Sequence, residues 1–446
     1  MRTALAVLTG RAVRVLARLR GGGSALPGRI ALVIAPRFLQ RAVEKLPLGV
    51  VFVSGSNGKS TTTQMLTTVL RAHDVDVFTN PSGANLPQGI ASAILAEAPL
   101  DGRLRHEIAV LEVDEAFGPG LAKRLVPHSV LLINVQVDQL NRFYEPDRVV
   151  GMLESFAGVA TRHLVVNADD HNLVDLAHRL AGRGAELSAF ALAPKLLAQS
   201  SWLARGDNPA LATAGPAQLA AQTRVTAASG ATATIEVDAS SVDVTLPARG
   251  LHNAVDAAAA FAMARALLGE RFDIATAARG LAGMETVYGR GEVLRTPDGE
   301  ELEILMMKNP PSLQVNLDAL PQAPEQVMVA VDEGTPDPSW VYGSDLSKLS
   351  HVDVLSGTKA WQFATRFGYD DIEVRVVEPE LGPALRRFLE LPPPSHGRKT
   401  LVVNYEQMML IRKQLGYLEL ALAPGANSSS CIYTRASWAS TVMSAM

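Results

Sequence analysis

One stretch restricts this chain more than any other. Val50-Val-Phe-Val-Ser-Gly-Ser-Asn-Gly-Lys-Ser-Thr-Thr62 begins as an apolar run, passes through Gly55-Ser-Asn-Gly58-Lys59-Ser60, and continues into the helix-like segment Ser60–Ala72. A short apolar run bounded in this way is a buried strand. The glycines let backbone N–H groups turn toward a phosphate, and the start of the helix adds its dipole. Gly55, Asn57 and Gly58 would form the cradle. Lys59 has the reach for outer phosphates, and the hydroxyl of Ser60 or Thr61 suits Mg²⁺. The common G-x-x-x-x-G-K-[ST] spacing needs glycine at position 53, which is Val53 here. The loop is therefore the shorter G-[ST]-N-G-K-[ST] form. Its place between a strand and a helix argues against a solvated turn that merely carries a lysine.

The pattern around this loop is one of alternation. Val75–Thr79, Ile108–Val113, Val130–Asn134 and Leu164–Asn167 are apolar runs separated by helix-length segments. That arrangement predicts a parallel sheet covered by helices. Residues 191–230 are rich in Ala, Ser, Gly and Pro and show little periodicity. Thr223–Ala228, Thr232–Val237 and Val242–Leu246 follow as strands of an antiparallel insertion. Ala254–Leu268 is a strong alanine-rich helix. A second alternating unit begins near Glu292, with strands Glu303–Met307, Gln326–Val331, Val352–Leu355, Ile372–Val376 and Thr400–Val403 and a helix over Thr358–Phe367.

The expected organisation is a basic segment over 1–48, a phosphate-binding α/β domain over 49–288 with an insertion at about 191–250, and a Rossmann-like α/β domain over 289–424. The boundary falls near Val287–Gly291. The Ser-rich residues 425–446 read as a disordered tail.

At 446 residues, with 48% hydrophobic and 19% charged, the chain is globular. Its one cysteine, Cys431, lies in the polar tail. It can form neither an internal disulfide nor a four-cysteine zinc site. No apolar run reaches the roughly 18 residues of a membrane span. Charge is uneven. Residues 1–43 hold eight arginines and no Asp or Glu, which leaves 33 basic against 45 acidic residues elsewhere. Arg11, Arg14 and Arg18 share one face of a helix. That face is either solvated or attracted to anionic lipid or a pyrophosphate. Residues 21–49, with Gly21–Gly23, Pro27, Pro36 and Pro47, read as a loop and a short helical lead-in. The basic residues run past the apolar stretch and no A-x-A site follows, so a secretory signal is not expected. No nucleic-acid partner is expected either.

The short phosphate loop resembles that of the Mur ligase superfamily, ATP-dependent enzymes that join a carboxylate to an amine through an acyl phosphate. Further segments are similar to one of its families, MurT, the synthetase subunit of lipid II isoglutaminyl synthases. They are Asn80-Pro-Ser-Gly-Ala-Asn-Leu86, Leu111-Glu-Val-Asp-Glu115, Asp138-Gln-Leu-Asn-Arg-Phe-Tyr-Glu145, Val166-Asn-Ala-Asp-Asp170, Tyr288-Gly-Arg-Gly-Glu292, Lys308-Asn-Pro310, Asp337-Pro-Ser-Trp340 and Ser356-Gly-Thr-Lys-Ala360. The likeness runs over about residues 20–415.

The resemblance implies roles for particular residues. Glu112, at a strand end with Asp114 on the same side, matches a metal-binding glutamate and would join Ser60 on Mg²⁺; the alternative is a solvated carboxylate. Asp138 and Arg142 lie past another strand end, and Arg142 either grips an anion or forms a salt bridge. Asn253 either binds nucleotide or caps the helix. The family's adenine-side asparagine corresponds to Asp256 here. Arg290 either approaches the nucleotide phosphates or pairs with Glu292. Asp337 either starts a helical turn or completes a Cys–His–Asp triad with a GatD-like glutaminase partner. The family's zinc ribbon is not expected, because residues 191–230 hold no cysteine. The implied substrate is lipid II, and the implied place is the cytoplasm, with peripheral contact at the inner membrane face. Two other readings share the fold: a stand-alone Mur or folylpolyglutamate-type amino-acid ligase, and a non-catalytic scaffold derived from a ligase.

Overall fold

The computed structural model describes residues 2–19, 25–81, 84–136, 146–198, 219–286, 289–296 and 298–417. They form two units. The first takes in residues up to Gly291 together with Asn309–Pro321 and Gly343–Asp345, and the second takes the rest from Glu292 onward.

The first unit is built on nine strands: β1 (Gly49–Ser54), β2 (Val77–Thr79), β3 (Ile108–Glu112), β4 (Ser129–Leu132), β5 (His163–Asn167), β6 (Glu186–Leu192), β7 (Thr223–Ser229), β8 (Thr232–Val237) and β9 (Ser240–Thr245). Their order is β2-β3-β1-β4-β5-β6-β7-β8-β9. Pairing is parallel as far as β7 and antiparallel from β7 to β9. A parallel strand covered on both faces must be apolar throughout, and β1 is buried at every position. Side chains alternate across the sheet. Val50 and Phe52 join one apolar layer, with Ala109, Leu111, Val130 and Leu132. Val51 and Val53 join the other, with Val110, Leu131 and Ile133. That second layer is closed by α4 (Lys59–Ala72) and by the helix Leu251–Leu268. The latter helix is apolar almost all round, and its alanines let it lie close against α4 and the sheet.

The first layer is closed partly by the N-terminal segment, and here the structure departs from expectation. Where the sequence suggests a loop and one short helical lead-in over residues 21–49, the described part, from residue 25 onward, holds two helices. The chain folds into α1 (Arg2–Leu19), α2 (Leu26–Ile34) and α3 (Phe38–Val43), and Ala6, Val7, Ala31, Phe38 and Leu39 are core residues. Proline and glycine obscured α2, yet each has a place there. Pro27 sits in the first turn, where its missing N–H costs nothing. Gly28 lets α2 meet α5 (Pro87–Glu97) backbone to backbone: its N–H donates to Ser92 Oγ at 2.8 Å, and a methyl group there would overlap the Gln88 carbonyl. Arg11 is half-buried and already engaged by the protein. Its Nε donates to Leu95 O (3.0 Å) and its Nη2 to Ala98 O (2.7 Å), satisfying carbonyls at the end of α5.

The second unit carries a six-stranded sheet in the order β10-β11-β15-β12-β13-β14. The strands are β10 (Arg290–Arg295), β11 (Glu301–Met306), β12 (Val327–Ala330), β13 (His351–Ser356), β14 (Glu373–Val377) and β15 (Lys399–Val403). Pairing from β11 to β14 is parallel. Helices Ala360–Tyr369, Leu381–Leu389 and Tyr405–Gln414 alternate with the strands. The expected two-part α/β architecture is thus present. The helix Pro310–Asp318, however, belongs to the first unit despite its place in the sequence.

Candidate functional site

The loop after β1 lies at the carboxyl end of the central strands, flanked by β3 and β4, where ligands of open parallel sheets bind. Its glycines are dictated by conformation and space. Gly58 has φ +83° and caps α4, and a side chain there would collide with Asp256. Gly55 has φ +143°, and a methyl group would come within 2.9 Å of the Asn134 backbone. The chain leaving β4 brackets the loop. Ser56 and Asn57 N–H donate to Asn134 O (3.0 Å) and Asn134 Oδ1 (2.9 Å), and Asn134 Nδ2 returns a bond to Asn57 O (3.1 Å). Asn57 Nδ2 donates to Gln136 Oε1 at 2.7 Å, and Asn309 Nδ2 donates to Asn57 Oδ1 at 3.2 Å. Asn57 is therefore fixed from both sides.

Lys59 is buried, and its Nζ donates to Gly55 O (2.6 Å) and to Glu115 Oε1 (2.6 Å). Arg290 reaches the start of the same helix, with Nη1 on Thr61 Oγ1 and Nη2 on Ser60 Oγ, both at 3.1 Å. The alternative pairing of Arg290 with Glu292 is not made; Glu292 binds Arg412. Two cations and a helix N-terminus thus converge on one loop, an arrangement suited to a polyanion. Glu115 opposes them. A nucleotide phosphate that recruits Lys59 must compete with Glu115 for it. Glu115→Gln is expected to tighten binding of ADP in EDTA by on the order of tenfold, the scale of one charge-assisted hydrogen bond. Unchanged affinity by calorimetry would mean that Lys59 keeps Glu115 when nucleotide binds.

Glu112 ends β3 beside Val53. Its N–H donates to Asn80 Oδ1 (2.9 Å), its carbonyl accepts from Asn80 Nδ2 (3.1 Å), and its Oε1 accepts from Asn85 Nδ2 (3.3 Å). The Asn80–Leu86 motif thus orients this carboxylate. Among the described residues no group of three or more His, Cys, Asp or Glu side chains is placed to hold a metal ion. Mg²⁺ does not require one, because it is commonly held by one or two protein oxygens together with substrate phosphates. The hydroxyl of Ser60 and the carboxylate of Glu112 are oxygen donors of that type.

The helix Leu251–Leu268 is capped by Gly250, not Asn253. Asn253 Nδ2 donates backward to Arg249 O at 3.0 Å and lies 3.1 Å from His252 Nε2. Burial, reinforced by Arg290, lowers the His252 pKa to about 4, so its imidazole is neutral. The helix residue that meets the loop is Asp256, which packs on Gly58 and accepts from Thr62 Oγ1 at 3.0 Å. Burial raises its pKa to about 7, against the opposing pull of Arg290 and Thr62. A folded-state acid pKa above the unfolded value means that stability falls as pH rises from about 4 to about 7. Asparagine does not titrate. The stability of Asp256→Asn relative to wild type should therefore grow across that interval and level off above it. Equal pH dependence of the two melting temperatures would count against this.

In the second unit, Asp337 is exposed and accepts from Ser339 N at 2.9 Å, opening the 3-10 turn Pro338–Gly343. Hydrogen bonds from Ser339 hold its carboxyl below the ordinary range. The turn is anchored by Trp340, edge-on to Phe363, and by Arg366 Nε on Val341 O at 3.2 Å. Asp138, Arg142, Tyr288, Cys431 and residues 425–446 lie outside the described residues, as do 199–218 of the expected insertion.

Residues 53–264 match the Mur ligase middle domain. A relative named as the MurT subunit of lipid II isoglutaminyl synthase from Staphylococcus aureus (strain COL) is 33% identical over 148 residues, 33% of this chain and 33% of the relative. The chain thus spans a third of that protein's length. The MurT subunit from Streptococcus pneumoniae is 27% identical over 383 residues, 79% of this chain and 83% of the relative. MurF from Thermotoga maritima, solved in complex with ADP, has 18% identity, a TM-score of 0.59, and covers 88% of this chain and 83% of its own. With its phosphate loop on a central parallel sheet and a second α/β unit, the chain has a Mur ligase-like fold. In sequence it is similar to MurT subunits and, over 217 residues at 32% identity, to a UDP-N-acetylmuramate–L-alanine ligase of Arthrobacter sp. (strain FB24), 48% of this chain and 39% of that relative.

Proposed function

We propose that the chain is an ATP-dependent carbon–nitrogen ligase, the synthetase half of a glutamine-dependent lipid II isoglutaminyl synthase. The observation that carries this is the convergence of Lys59, Arg290 and the α4 N-terminus on the loop, in a chain alignable with MurT over 383 residues. The acceptor would be the α-carboxylate of the isoglutamyl residue in the lipid II stem peptide. The γ-phosphoryl group of ATP passes to that carboxylate, giving an acyl phosphate and ADP. Ammonia then attacks the acyl carbon and expels phosphate, leaving an amide.

Lys59 and Arg290 neutralise charge on the transferring group, and the loop N–H groups hold it in place. Mg²⁺ held by Ser60 and Glu112 would supply further charge neutralisation. Zinc has no part in this reading, Cys431 being the single cysteine. A glutaminase needs an activated nucleophile, so ammonia comes from a separate GatD-like subunit, and Asp337 would complete that subunit's triad. A lipid-linked acceptor places the work at the inner face of the membrane.

The test supplies purified chain with ATP, Mg²⁺, lipid II and ammonium chloride. Amidated lipid II with stoichiometric ADP and phosphate is expected by mass spectrometry. Product formation only with an added amino acid would support a stand-alone ligase instead, and no lipid II-dependent hydrolysis would support a scaffold.

A further inference from the structure

A helix lying on a protein normally turns charge outward and apolar residues inward. In α1 the inward side is apolar as usual, with Ala6, Val7 and Gly10 buried. The outward side is apolar as well. Leu5, Leu8, Ala12, Val15 and Leu16 recur at helical spacing and are exposed, the four larger ones at 55–58%. On α2, which packs against α1, Leu26 is 49% exposed and Val33 76%. Contiguous exposed apolar surface of this kind marks a contact site. No helix among the described residues is long and apolar enough to cross a membrane.

Charge points to what covers this face. Residues 1–43 hold eight arginines and no acidic residue. Arg11 is committed to α5, but Arg2, Arg29 and Arg37 are exposed. An apolar stripe edged by arginine, on helices that carry no carboxylate of their own, fits the boundary between headgroups and acyl chains of an anionic bilayer.

We infer that the outward face of α1 and α2 seats this protein on an anionic lipid surface, with Leu5, Leu8, Val15, Leu16 and Val33 entering the acyl boundary and the exposed arginines meeting headgroup phosphates. The inference stands apart from the ligase reading, since it rests on no residue of the phosphate loop. It differs from attraction by charge alone, because the apolar residues must enter the bilayer.

The test is co-sedimentation of the full chain with phosphatidylglycerol–phosphatidylcholine vesicles and with phosphatidylcholine vesicles. Binding is expected to the anionic vesicles and to be at least tenfold weaker to the neutral ones. Because exposed charges are screened over about 8 Å at physiological salt and 3 Å at 1 M, binding should weaken as salt rises. The double variant Leu8→Gln, Val33→Gln should lose at least tenfold in vesicle affinity while keeping its melting temperature and ADP affinity. Vesicle binding by the variant equal to wild type would overturn the inference. So would failure of the wild type to bind vesicles, including the case where this face instead pairs two copies of the chain or an acidic protein.

Discussion

Lys59→Ala should reduce ATP turnover by about 10²–10³-fold or more, the scale seen when a preorganised charge stabiliser is removed from a transition state. The structure adds a consequence that a solvent-facing loop lysine would not have. Lys59 and Glu115 are buried together, 2.6 Å apart. Alanine at position 59 leaves the Glu115 carboxylate buried without its partner, and breaking such a pair typically costs about 3–5 kcal/mol. Lost activity in the single variant could therefore reflect lost stability. The double variant Lys59→Ala, Glu115→Gln separates the two effects. Its melting temperature should recover toward wild type, because the uncompensated charge is gone, while its turnover should stay low, because the Lys59 ammonium is missing and Arg290 alone is left beside the phosphates. Wild-type turnover in either variant at saturating ATP would remove Lys59 from the mechanism.

The loop itself was legible because strand, glycines, lysine and helix are contiguous, and contiguity is what a sequence displays. The central strands β1, β3 and β4 are legible for a related reason: each is buried at every position, so each reads as a short apolar run. β6 escaped because Glu186-Leu-Ser-Ala-Phe-Ala-Leu192 mixes small and polar residues and gains its burial only at its end. The surroundings of the loop were not legible. Asn134, Gln136, Asp256 and Asn309 are 77 to 252 residues from their loop partners and meet them only through the sheet order and the packing of the alanine-rich helix. Glu115 stood within a quoted motif, but nothing in the spacing says that it faces Lys59 while Glu112 faces Asn85. Helix α1 is legible from its arginine face, but the extent of helix after it is not, because Gly and Pro usually punctuate loops. Here Gly28 permits a close helix crossing and Pro27 opens a helix.

Asp337→Asn should lower glutamine hydrolysis by the complex with a glutaminase subunit by about a hundredfold or more, while leaving ADP binding to this chain unchanged. The expected size follows from what a triad carboxylate does. It accepts the imidazole N–H, fixes the tautomer so that the other nitrogen acts as base, and stabilises the imidazolium that forms; its replacement by asparagine in a serine-protease triad costs about 10⁴. The geometry of Asp337 is compatible with this role. The carboxylate is exposed, one oxygen is held by Ser339 N at 2.9 Å, and the hydrogen bonds that lower its pKa keep it charged at neutral pH. The same bond is also what a turn-opening aspartate makes, so geometry alone serves both roles. Asparagine distinguishes them. Its side-chain oxygen still accepts from Ser339 N and keeps the turn, but it offers no charge to a partner histidine. A purely structural Asp337 would therefore tolerate asparagine, with glutaminase activity near wild type. A triad member would not, and ammonium chloride would then restore amide synthesis by the variant complex, because the synthetase needs only the ammonia that the partner has ceased to supply. Wild-type glutamine hydrolysis in Asp337→Asn would discard the shared triad and favour a ligase that works alone.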